Sequence, residues 1–180
     1  RVVAFDLAGD EAGYPLTAHL EAFRFAKDRG IAITSHAGEA SGAQSVWETL
    51  RTLQPTRIGH GVRSIEDPAL VEYLKQQHIH LEICPTNNVQ LNVFPTYADH
   101  GLDQLYRQGV SLGISTDNRT LTPITLTQEY EKLAKTFGWD KIDFLKCNLN
   151  AIHAAFVPQP IKKTLTRQIA QAYESSNSDF

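Results

Sequence analysis

Methionine is missing from all 180 residues, and cysteine occurs only at Cys84 and Cys147. A chain without Met that runs from Arg1 straight into a strand-like segment reads as starting inside a domain. Two cysteines are too few for a disulfide framework, and no Cys-x-x-Cys pair exists, which favours a reducing compartment. The first apolar run is broken by Asp6 and is no secretory signal, so a cytoplasmic location is the expectation. No apolar stretch approaches the ~20 residues of a spanning helix, so no membrane partner is expected. Basic residues are not in excess: 17 Lys and Arg against 20 Asp and Glu give a net charge of −3. Nucleic-acid binding therefore gains no support. What remains, 42% hydrophobic and 21% charged residues, is an ordinary globular composition, and one domain over residues 1–180 is expected.

Short β-branched runs alternate with helical stripes along the chain. The runs fall at residues 1–7, 31–35, 56–61, 79–84 and 110–115. Pro15 suits the first turn of a helix with Leu16, Leu20 and Phe23 inward and Gly30 as its stop. Ser41-x-x-Gln44 resembles a capping box ahead of Val46, Trp47, Leu50 and Leu53. Asp67-Pro68 caps another helix, with Leu70, Val71 and Leu74 inward, and residues 102–108 form the next. Three further stripes are Leu126, Tyr130, Leu133 and Phe137; Leu145, Leu149, Ile152 and Phe156; and Ile161, Leu165, Ile169 and Tyr173. Residues 174–180 read as a polar, frayed tail. This βα alternation predicts an α/β fold with a parallel sheet.

Each strand body is apolar and each C-terminal tip is polar: Gly9-Asp10, His36 to Glu39, His60, Asn87-Asn88 and Asp117-Asn118. In a parallel α/β sheet these tips share one side, where ligands bind. Alone, His36 could simply hydrogen-bond a loop and Glu39 could be solvated. Two histidines, a glutamate and an aspartate converging on one face favour an active site. Imidazole with carboxylate suits zinc, for which His36 and Asp117 are the best-placed ligands. Glu39, just beyond its strand, is better placed as an acid or base.

Five segments in order carry a resemblance: Asp6-Leu7-Ala8-Gly9-Asp10-Glu11, Ser35-His36-Ala37-Gly38-Glu39, Arg57-Ile58-Gly59-His60-Gly61, Cys84-Pro85-Thr86-Asn87-Asn88 and Ser115-Thr116-Asp117-Asn118. Together they resemble adenosine deaminase, of the metal-dependent amidohydrolase type, over essentially the whole chain. The resemblance implies the C-terminal part of a (β/α)8 TIM barrel, about five βα units plus terminal helices. It implies one zinc ion per site, with His36 and Asp117 as metal ligands. Glu39 is then the proton donor to N1 of the purine, and His60 orients the attacking water and takes its proton. Asp117 also contacts that water. Gly9 offers its backbone amide to N3, and Asn118 contacts N7. The implied reaction is hydrolytic deamination of adenosine and 2′-deoxyadenosine to inosine and deoxyinosine plus ammonia. A carboxylic acid must stay protonated near neutrality for this, which burial can achieve.

Two departures qualify the pattern. Many members carry Asp-Asp where this chain has Asp117-Asn118; an amide NH2 can donate to N7, which an ionised carboxylate cannot. The family's first strand supplies a His-x-His pair of zinc ligands, and nothing here matches it. His78-Ile79-His80 has the spacing but starts its strand, so it reads as structural or solvent-facing. His19, His100 and His153 read as ordinary, and Cys84 as a buried strand-end thiol. Five strands cannot close a barrel, so two further His ligands and three strands are expected from a missing N-terminal part, without which the fragment is expected to be inactive. Deaminases of adenine or adenosine monophosphate are the alternatives, as is a non-catalytic purine-binding fragment.

Overall fold

The computed structural model describes residues 2–175. Five strands form one sheet in the order β1 to β5, every neighbouring pair parallel. They are β1 (Ala4–Phe5), β2 (Ala32–Ala37), β3 (Arg57–His60), β4 (His80–Ile83) and β5 (Ser111–Ile114). Helices α1 (Leu20–Asp28), α2 (Ala43–Thr52), α3 (Pro68–Gln76) and α5 (Leu102–Arg107) lie in the connections, with a short α4 (Pro85–Gln90) just after β4. Then come α6 (Leu126–Phe137), α7 (Lys141–Ala154) and α8 (Gln159–Ser175). Sequential parallel strands joined by helical crossovers are the arrangement of consecutive units in a (β/α)8 barrel.

Alternation along the strands builds the core. Ala37, Ile58, Leu81, Ile83 and Leu112 are buried together with Val46, Leu50, Leu70, Leu74, Leu102 and Leu105 of the helices, while Ile33 packs in a smaller cluster with Phe23 and Leu53. The opposite sheet face is polar. Register sets Thr34, Arg57, His80 and Ser111 in one row and His36, Gly59, Glu82 and Gly113 in the next. Arg57 and Glu82 are ion-paired on that face, and His80 Nδ1 lies 2.9 Å from Ser111 Oγ. His80 is thus a buried structural histidine and His78 is exposed, in line with their position at a strand start.

Local chemistry explains most boundaries. Asp67 accepts the N–H groups of Ala69 and Leu70 with Pro68 in the first turn, as its sequence announces. Several expectations need correction. β1 shrinks from residues 1–7 to Ala4–Phe5, an edge strand paired on one side only, with Val2 and Val3 exposed; Arg1 lies outside the described residues. The Ser41–Gln44 capping box does not form: α2 begins at Ala43 after Gly42, with no side-chain cap. Asn87 and Asn88 are not on a strand tip but within α4. On α7 the buried residues are Phe144, Cys147 and Ile152, and Leu145 and Leu149 are only half-buried. On α8 Ile161 and Leu165 are exposed. Of the expected tail, Glu174 and Ser175 end α8 and residues 176–180 lie outside the described residues.

Among the described residues, no helix is long and apolar enough to cross a membrane.

Candidate active site

The strand ends converge as their polarity predicts. β2 carries His36 to its C-terminal end, where its half-buried ring lies 5.0 Å, centre to centre, from that of His60. Both His60 (φ 63°) and Asp117 (φ 59°) adopt left-handed backbone. Non-glycine residues rarely do so, and such strain is typical of functional sites. It turns His60 at the end of β3, away from the course its strand alternation would give.

Glu39 stands at the centre. Its Oε1 accepts from Asn88 Nδ2 at 2.6 Å and Asn87 Nδ2 at 3.2 Å, and lies 3.2 Å from His60 Nδ1. Burial, with the Asp117 charge behind it, raises the Glu39 pKa and favours the protonated acid. Burial, reinforced by the neighbouring His36, pushes His60 down to about 4, so its imidazole is neutral. The His36 pKa goes the other way, raised by the Asp6 carboxylate 3.8 Å from Nδ1.

A second carboxylate organises this loop. Glu11 accepts the backbone N–H groups of Gly38 (2.6 Å), Glu39 (3.1 Å), Ala40 (2.8 Å) and Ser41 (3.1 Å), and the Ser45 hydroxyl. Burial acts to raise its pKa, but these donors outweigh it and hold the carboxylate below its usual range. Gly38 makes the turn at φ 71°, where a Cβ would meet Val46 Cγ2 at 2.5 Å.

The remaining expected residues lie around this centre. Gly9 (φ 130°) lines a cavity of about 560 Å³ that also includes Asp10, Glu11, His36 and Glu48. Asp117 and Asn118 are exposed at the end of β5, and Asn118 Oδ1 accepts the Thr120 N–H at 3.0 Å. Among the described residues, no three His, Cys, Asp or Glu side chains are placed to hold a metal together. Cys84 is a buried thiol just after β4, as expected, and its Sγ faces the Glu82 carbonyl rather than the start of α4.

Sequence reasoning passed over four residues that build the site: Asp6, Glu11, Asn87 and Asn88 lie inside the quoted segments but receive no role. It also set His100 aside, although His100 is buried and its Nε2 lies 3.3 Å from Asn88 Oδ1. No spacing rule points to His100, because a loop delivers it.

A family profile for adenosine deaminase matches residues 1–172. The chain is 38% identical over 165 residues to the adenosine deaminase of Shewanella loihica, covering 92% of this chain and 50% of that protein. It thus spans about half the length of the curated relatives it matches. The crystal structure of an adenine deaminase from Arthrobacter aurescens superposes with a TM-score of 0.91 at 25% identity, covering 96% of this chain and 53% of that one. A Burkholderia ambifaria amidohydrolase with bound Zn gives 0.86 at 24% identity (94% and 48% covered), which speaks to fold alone. An Arabidopsis protein, ADAL, complexed with IMP gives 0.86 at 26% identity (96% and 50% covered).

Proposed function

The chain belongs to the adenosine deaminase family, and from that premise we propose that its full-length protein hydrolytically deaminates adenosine and 2′-deoxyadenosine. The products are inosine or deoxyinosine and ammonia. The observation that carries this reading is Glu39: a carboxyl group with a raised pKa, beside a neutral His60, at the mouth of the sheet.

The donors available here fit zinc. A metal-ligating histidine commonly points its other ring nitrogen at a carboxylate, and His36 Nδ1 has no hydrogen-bond partner among the described residues but faces Asp6 Oδ2 at 3.8 Å. His36 and Asp117 are the proposed ligands in this chain, with two further histidines supplied from outside it. When bound, zinc supplies Lewis acidity and lowers the pKa of a coordinated water toward ~7.

The chain's own groups do the rest. Glu39 gives its proton to N1, which makes C6 more electrophilic. His60, neutral at working pH, orients the attacking water and takes its proton through Nε2; its Nδ1–H then has Glu39 Oε1 as acceptor at 3.2 Å. Asp117 contacts the same water. Gly9, with open space on the side where a Cβ would stand, offers its backbone N–H to N3. The Asn118 carbonyl oxygen is engaged by Thr120, which leaves its NH2 to donate to N7.

Relatives acting on adenine, or binding a nucleoside monophosphate, define the competing substrates. Among the described residues, the cavity beside His36 is lined by Asp10, Glu11 and Glu48, with His19 and His36 and no Lys or Arg. Such a lining repels a phosphate and favours an uncharged nucleoside. Specificity constants of the full-length protein on adenosine, 2′-deoxyadenosine, adenine and adenosine monophosphate test this. The nucleosides are expected to exceed the monophosphate by about 100-fold or more. A better rate on adenine or the monophosphate would overturn the assignment.

A further inference from the structure

Glu39 can donate a proton to a purine only from the oxygen that faces it. The residues behind Glu39 form a hydrogen-bond chain whose direction is fixed at its far end. Leu102 N–H donates to His100 Nδ1 at 3.1 Å, so that nitrogen is an acceptor and carries no proton. His100 is buried, which pushes its pKa down to about 3 and keeps the ring neutral. A neutral imidazole with an unprotonated Nδ1 has its one N–H on Nε2. That nitrogen lies 3.3 Å from Asn88 Oδ1. The Asn88 amide is therefore oriented with its oxygen toward His100 and its NH2 toward Glu39 Oε1, 2.6 Å away. Asn88 is fully buried, so no solvent rescues the flipped amide, which would set its NH2 against the His100 Nε2–H.

A second amide approaches the same oxygen. Asn87 Nδ2 lies 3.2 Å from the same Oε1, while Asn87 Oδ1 shares the Thr122 hydroxyl, at 3.1 Å, with Gln90 Oε1 at 2.9 Å. The oriented Asn88 amide, the Asn87 NH2 and His60 Nδ1 thus surround one carboxyl oxygen. We propose that His100 and Asn88 are positioning residues that reserve Glu39 Oε1 as an acceptor, so that the transferable proton resides on Oε2. In the reaction the Oε2–H bond breaks, an N1–H bond forms on the purine, and Glu39 is left as a carboxylate facing both amides. This rests on Glu39 being the proton donor.

The test uses the full-length, zinc-loaded protein. His100→Phe keeps the packing on Phe94, whose ring centre lies 4.4 Å from that of His100, but removes the N–H. Together with Asn88→Ala it is expected to lower kcat by about 10- to 100-fold with KM within about threefold, the signature of misplacement rather than lost binding. His100→Gln restores a donor near the Nε2 position and is expected to recover at least about a tenth of the wild-type kcat, above His100→Phe. Zinc content is expected to stay at the wild-type level. Long-range 1H–15N NMR of unsubstituted protein gives a reading that depends on no variant folding: a neutral Nε2–H tautomer for His100 from pH 5 to 8. An Nδ1–H tautomer, or unchanged kcat in both His100→Phe and Asn88→Ala, would overturn the proposal. If wild type deaminates adenosine and Glu39→Gln does not, while these variants stay fully active, only this inference fails. If wild type deaminates no 6-aminopurine, the functional reading itself fails.

Discussion

The backbone N–H of Glu39 is held by the carboxylate of Glu11 at 3.1 Å, across a sequence separation of 28 residues. Glu11 thereby ties the loop after β1 to the loop after β2 and fixes the main chain beneath the proposed proton donor. Four backbone donors and one hydroxyl converge on it, more than a neutral amide could serve.

Glu11→Gln is therefore expected to destabilise the protein by about 2 kcal/mol or more, since several donors lose a charged acceptor. A denaturant series reads the stability, and turnover should fall with it because Glu39 loses its support. A midpoint shift worth under about 0.5 kcal/mol would show that the loop holds itself.

Gly59 faces His36 across the β2–β3 register, and a Cβ there would sit 3.1 Å from the imidazole Cγ and Nδ1. Gly59→Ala must push the ring by a few tenths of an ångström. The expected result in the full-length protein is zinc affinity weakened by roughly 10-fold, without loss of the folded state. Unchanged zinc affinity would remove His36 from the metal site or show its ring free to move.

His80 and His100 are buried in neutral form, with pKa values pushed down by burial to about 4 and about 3. Unfolded, each titrates near ~6.5. The folded values are the lower ones, so stability is complete above ~6.5 and is lost as pH falls toward the folded values. Between about pH 6 and 4.5 these two histidines should make unfolding take up about two extra protons, seen as a steep fall of ΔG with pH. His80→Gln should reduce that uptake by about one proton. Stability that stays level from pH 7 to 5 would contradict the buried neutral assignment.

The repeat of strands and helices was legible because each strand couples an apolar body to a polar tip, and α3 announces itself with Asp67-Pro68. His36, Glu39, His60 and Asp117 were legible for the same reason: their positions follow from strand ends. The carboxylate Glu11 was not, because its partners are backbone amides that become neighbours only when two loops meet. The capping box read at Ser41 failed on this account: the Ser41 N–H is taken by Glu11, and α2 starts two residues later. His100 was set aside because a buried loop histidine has no period or spacing. On α8, Ile161 and Leu165 form a regular stripe yet stay exposed, so periodicity alone overstated the packing there.

The central claim is that Glu39 is the acid that protonates the purine. Glu39→Gln keeps the size of the side chain and a hydrogen-bonding carbonyl but removes the acid. Turnover of adenosine by the full-length variant, measured beside its zinc content, is the direct test. The expected result is a loss of about 10³-fold in kcat with zinc retained at the wild-type level. Near-normal turnover by that variant would contradict the role assigned to Glu39.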